Sequence, residues 1–174
     1  YHAGMDIYYI NSEEFLKKYD TNFLRQYVDG QEFKSLKRFI QHSIGRYIVK
    51  TVGENIYGIK NPKIIIENEK PKFQNSDINF SITHCGKYIA VAFDKNECGL
   101  DIEEIKPREL EPLSKRYGKD FSTLEDFYMF WTKYEAEIKL QKTAKWSHSE
   151  IFQNNYVLSA VTSAANADFS INKL

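Results

Sequence analysis

The sequence predicts an α+β fold, and three observations lead there. Two long stretches carry apolar residues at helical spacing, several short β-branched and aromatic runs are bounded by turn residues, and two of those runs lie close enough to form a hairpin. With 174 residues, the chain has room for one domain or for two small lobes with a real core. A boundary between lobes is expected near residues 94–97.

In order, "MDIYYI" from Met5 reads as a first strand. "SEEFLKKY" follows as a short helix with Ser12 as its N-cap. From Gln31 to about Thr51 the pattern is helical, with Phe33, Leu36, Ile40, Ile44 and Tyr47 on one stripe. "ENIYGI" and "PKIIIEN" are strand-like, and "INFSITH" and "KYIAVAFD" make a hairpin through Cys85 and Gly86. "ECGLDIEEI" is a strand with Cys98, Leu100 and Ile102 on its greasy face. A second long helix spans about Thr123 to Lys142, and "NNYVLSAVTS" and "DFSINKL" close the chain as strands.

Composition narrows the function classes. The 24 basic and 24 acidic residues cancel, which argues against a protein held on nucleic acid by bulk charge. Cys85 and Cys98 make neither a disulfide framework nor a Cys-x-x-Cys motif. No apolar run approaches the ~20 residues of a membrane span, and no signal peptide is visible. The expectation is a soluble, cytoplasmic protein with no membrane partner. Residues 1–4, ahead of Met5, read as a vector-derived remnant.

Chemistry concentrates in two places. Asp101 and Glu103 share one face of their strand, roughly 7 Å apart. Glu135 falls on a helical stripe with Leu124, Phe127, Tyr128, Trp131 and Ile138, and Lys139 sits four residues further on. Two carboxylates on one strand face are also what a wet surface looks like, and Glu135 with Lys139 is also an ordinary helix pair. Taken together, three oxygen donors suit a hard ion such as Mg²⁺, most often used in phosphate chemistry. Cations for the phosphate are available in His84 at a strand end and in Lys70, held extended by Pro71. Lys34, Arg38, His42, Arg46 and Lys50 add a ribbon along the first long helix, most of it a solvated face, with one or two members placed to grip a phosphate.

"EKP" at 69–71, "FSITHC" at 80–85, "GLDIE" at 99–103 and "WTKYEAEIK" at 131–139, read in that order, resemble the surfactin-synthetase-type (Sfp-type) 4′-phosphopantetheinyl transferases. The resemblance implies two similar α/β lobes in a pseudo-twofold arrangement, here residues 5–96 and 97–174, with the active site between them. It implies that a serine of an apo acyl or peptidyl carrier protein attacks the β-phosphate of coenzyme A, so that the phosphopantetheine arm is transferred and 3′,5′-ADP leaves. Carried over, Asp101, Glu103 and Glu135 become Mg²⁺ ligands, and Glu135 and Lys139 the catalytic pair. Lys70, Pro71, Thr83 and His84 would hold coenzyme A, with Arg38 or Arg46 on its 3′-phosphate, where the family's basic residue aligns with Gln41. Ser81, Thr83, Cys85 and Tyr134 stand where the family usually has Asn, Ser, a hydroxyl residue and Lys. The fused lobes imply a monomer. Two other classes remain: a non-catalytic relative that binds carrier protein or nucleotide, and a metal-dependent nuclease built on Asp101, Glu104 and Lys106. The nuclease is disfavoured by strand alternation, which turns Asp101 away from Glu104.

Overall fold

The structure, a computed structural model, describes residues 4–165 and 168–174. Of the expected N-terminal remnant, residues 1–3 lie outside the described residues.

Strand β1 (Met5–Asn11) runs into helix α1 (Ser12–Lys18), then the single turn α2 (Thr21–Leu24) and a 3-10 turn at Arg25–Tyr27. Asn11 rather than Ser12 caps α1, its side chain accepting from the N–H groups of Glu13 and Glu14. The first long helix, α3, spans Leu36–Asn55 with Ser35 accepting from Arg38 N–H. Its buried residues include Phe39, Ile44, Ile48, Val49 and Val52, whereas Leu36 is exposed. The predicted stripe therefore started one turn early. The "ENIYGI" segment is not a strand. It is the end of α3 and a turn in which Gly58 takes φ 67° and Ile59 N–H returns to the Gly53 carbonyl.

A small hairpin, β2 (Ile64–Glu67) with β3 (Lys70–Phe73), leads to the larger hairpin β4 (Asn79–Cys85) and β5 (Tyr88–Asp94). Strand β6 (Cys98–Glu104) precedes α4 (Leu110–Tyr117), a helix the sequence reading missed. Pro112 conceals it, yet proline is tolerated in a first turn where no N–H partner is needed. Helix α5 (Leu124–Leu140) starts on a Thr123 cap and stops at Gln141 in the left-handed region. The chain closes with β7 (Trp146–Phe152), β8 (Tyr156–Thr162) and β9 (Phe169–Lys173). Strand β7 was also missed, because "WSHSEIF" has little apolar alternation and lies at a sheet edge.

Two main sheets result, ordered β4-β5-β1-β9 and β6-β8-β7. In both, a strand, a helix and a hairpin follow one another, and the last strand of the three lies in the middle: β1-β5-β4 and β6-β8-β7. Side-chain alternation sorts the core into layers. Ile89, Val91 and Phe93 pack with α3, while Tyr88, Ala90 and Ala92 meet Leu100, Ile102, Leu158 and Ala160 of the other sheet. Val157 and Val161 turn outward to α5. The order of layers is α3, first sheet, second sheet, α5. β9 pairs parallel to β1, so the last strand completes the first sheet. No helix among the described residues is long and apolar enough to cross a membrane.

Helix α5 buries Phe127, Tyr128, Thr132, Ala136 and Leu140. This corrects the predicted stripe: Ile138 is 54% exposed, and Glu135 lies half-buried on the flank. Thr132 hid the true face, since its hydroxyl is satisfied by the Tyr128 carbonyl and Ser159. Gly99 lets the helix backbone rest directly on β6, because a Cβ there would overlap the Ala136 carbonyl. Gly99→Ala is expected to cost at least ~2 kcal/mol in chemical denaturation, as an added atom against backbone has no side chain to push aside.

Candidate functional site

Strand β6 pairs with β8 through one edge and presents the other edge to β4. Backbone groups on that second edge find side chains instead of a strand. Leu100 N–H donates to Ser81 Oγ at 3.1 Å, and Ile102 N–H donates to Thr83 Oγ1 at 3.2 Å. Lys70 Nζ donates to the Cys98 carbonyl at 2.7 Å, and Lys139 Nζ donates to the Leu100 carbonyl at 2.9 Å and the Ile82 carbonyl at 3.3 Å. Two hydroxyls and two ammonium groups thus do the work of a ladder.

Asp101 lies beside this seam and is 6% exposed. Its Oδ1 is 3.3 Å from Lys139 Nζ and 3.5 Å from Thr83 Oγ1, while its Oδ2 is buried with no hydrogen-bond partner. Burial raises the Asp101 pKa; Lys139 opposes the rise, and Glu103 and Glu135 add to it. Burial likewise raises Glu103; its side-chain contact with the Asp101 carboxyl opposes the rise, and the nearby Glu135 charge adds to it. The three carboxylates therefore act on one another. Among the described residues, however, no group of three or more His, Cys, Asp or Glu side chains is drawn together closely enough to hold a metal ion.

The cations divide among three hollows. His84 and Arg38 share a cleft of about 470 Å³ with Lys37, His42, Gln41 and Phe33. Partial burial lowers the His84 pKa, and Lys139, Arg38 and Lys37 lower it further, which favours a neutral imidazole until an anion arrives. Gln41 is buried and donates to the Gly86 carbonyl. Arg46 lines a neighbouring hollow with Asp29 and Lys50, touching the first cleft only through His42. Lys70 and Pro71 line a third hollow with Lys139 and Ile82.

Two residues expected to reach coenzyme A are buried and bonded within the protein. Lys70 is 8% exposed with its ammonium on Cys98, and Thr83 is 2% exposed with its hydroxyl on β6. Ser81, Lys37 and His42 are the residues that sequence reasoning undervalued. The signal for Ser81 was present: two hydroxyls two apart on β4 must share a face, and that face is otherwise core.

Over 155 residues the chain is 25% identical to 4′-phosphopantetheinyl transferase Sfp of Bacillus subtilis (strain 168), covering 78% of this chain and 69% of that protein. A second 4′-phosphopantetheinyl transferase of Bacillus subtilis is 26% identical over 156 residues with the same coverage. One from Bacillus pumilus is 30% identical over 111 residues, covering 56% of this chain and 48% of its own length. The chain is thus similar in sequence to several 4′-phosphopantetheinyl transferases of Bacillus. No family model matches it.

The buried carboxylate has a consequence for stability. A carboxyl whose folded pKa is raised destabilises the fold as pH climbs past its unfolded value near ~4, and the loss is complete above its raised folded value. Asp101→Asn is expected to remove that decline and, at pH 8 without divalent cations, to stabilise the protein by about 1–3 kcal/mol. Lys139 keeps its two carbonyl acceptors in the variant. The check is a pair of urea titrations at pH 5 and pH 8, where the gap between variant and wild type should widen with pH.

Proposed function

We propose that this chain transfers the 4′-phosphopantetheine arm of coenzyme A to a serine of an apo acyl or peptidyl carrier protein, with Mg²⁺, as a cytoplasmic monomer. The observation that carries the reading is the unpartnered Oδ2 of Asp101, buried beside Lys139 and within the electrostatic reach of Glu103 and Glu135. A buried anionic oxygen without a donor is costly, and an all-oxygen donor set suits Mg²⁺. Kinship with proteins named for this activity supports the same chemistry.

Asp101, Glu103 and Glu135 would hold the ion, which when bound supplies positive charge against the pyrophosphate of coenzyme A. The remaining roles fall to the chain. His84, Arg38 and Lys37 present cations and N–H donors to the phosphates from one cleft. Glu135, half-buried on the flank of α5, accepts the proton of the serine hydroxyl, directly or through a water. The serine Oγ bonds to the β-phosphorus, the bridging P–O bond breaks, and 3′,5′-ADP departs with the bridging oxygen. Lys139 neutralises charge as it grows on the phosphates. The matching strand order of the two sheets supports two lobes related by a pseudo-twofold axis and divided near residues 94–97, except that β9, expected in the second lobe, returns to the first sheet beside β1.

Intact-mass analysis of apo carrier proteins incubated with coenzyme A and Mg²⁺ tests the function. A gain of one phosphopantetheine arm on serine is expected, and an unchanged mass for every carrier tried would reject it. Glu135→Gln should slow transfer at least ~100-fold while leaving thermal stability at or above wild type, because the amide keeps the shape but cannot take a proton. His84→Ala and Arg38→Ala should each weaken coenzyme A binding by about 1–3 kcal/mol in calorimetry. Unchanged affinity in both would move the phosphates out of that cleft.

A further inference from the structure

Ser81 and Thr83 look alike: both lie on one face of β4, both are buried, and both hydroxyls accept a β6 N–H. They differ in where the hydroxyl proton can go. Thr83 Oγ1 lies 3.5 Å from Asp101 Oδ1, and among the described residues Ser81 makes no such carboxylate contact. Thr83 is also stiff at χ1, so its oxygen is fixed by the strand backbone. One hydroxyl therefore ties the position of Ile102 N–H to the orientation of the neighbouring carboxylate. Lys139 meets the same Oδ1 from α5. Two donors on one oxygen leave the other, Oδ2, buried and without a donor among the described residues, beside the Glu103 carboxyl.

The geometry points to Thr83 as a positioning residue for Asp101: its hydroxyl holds Oδ1 so that Oδ2 is presented to a divalent cation. Thr83 is 2% exposed, and its hydroxyl is engaged with Ile102 N–H and Asp101. The inference rests on the transferase reading in one respect only, the assignment of Asp101 as a cation ligand. Partners that orient a ligating side chain are typically worth ~10–100-fold in metal affinity.

Ser81 supplies the internal control. Ser81→Ala and Thr83→Val each strand one β6 N–H, so both should lose stability in urea. Only Thr83→Val releases Asp101. Mn²⁺ alone is titrated into the full chain, with free ion followed by electron paramagnetic resonance. Thr83→Val should bind Mn²⁺ at least ~10-fold more weakly than wild type, Thr83→Ser should restore binding, and Ser81→Ala should stay within about twofold of wild type. If Thr83→Val does not fold, Thr83→Cys, a weaker donor of similar shape, takes its place. Wild-type affinity in the Thr83 variant, or an equal loss in Ser81→Ala, overturns the positioning role while the cation site stands. Failure of the wild-type protein to bind Mn²⁺ overturns the cation site itself and the positioning role with it.

Discussion

The structure hinges on an edge that is not paired. Strand β6 must satisfy backbone groups on the side facing β4, among them the N–H groups of Leu100 and Ile102 and the carbonyls of Cys98 and Leu100, and a buried backbone group left alone costs about 1–3 kcal/mol. Ser81, Thr83, Lys70 and Lys139 meet that demand from three different elements. Had β4 paired with β6 directly, the two sheets would have merged into one and no stacked core would have formed between them. Because side chains bridge the gap, the sheets stay distinct and the joint acquires ammonium groups. Those charges are what make a buried aspartate tolerable beside it.

This joint also explains which parts of the site could be read from sequence. Asp101 and Glu103 were legible because strand alternation alone places them on one face. Lys139 was legible from its spacing on α5. The direction of Lys70 was not, because Pro71 fixes its backbone while the ammonium is drawn inward by a carbonyl on a strand 28 residues away. Glu135 was assigned to the buried stripe for a similar reason. A pattern reader counts Trp131 and Ile138 as inward and Thr132 as outward, whereas the packed helix presents Thr132, Ala136 and Leu140 to the sheet.

The same contrast runs through the fold. Strands β1, β4, β5, β6 and β8 carry apolar or β-branched residues at period two, and their existence followed from that alone. β7 and α4 were missed since an edge strand needs only one modest face and a proline at a helix start resembles a breaker. "ENIYGI" misled because a helix end with isoleucines around a left-handed glycine copies the composition of a short strand. Pairing with β8 decided β7, whereas local backbone hydrogen bonds that composition does not announce decided the end of α3.

The parallel pairing of β9 with β1 bears on how the protein is made. Residues 169–173 must return to residues 5–11, with Ser170 donating to Asp6, which also accepts from Tyr57. During synthesis the first sheet therefore emerges with one edge bare and waits for almost half of the chain to follow. A half-finished sheet with an open edge is prone to pair with a neighbour. The pairing of β9 with β1 is a closure over long sequence distance, whose entropy is lost before its contacts form.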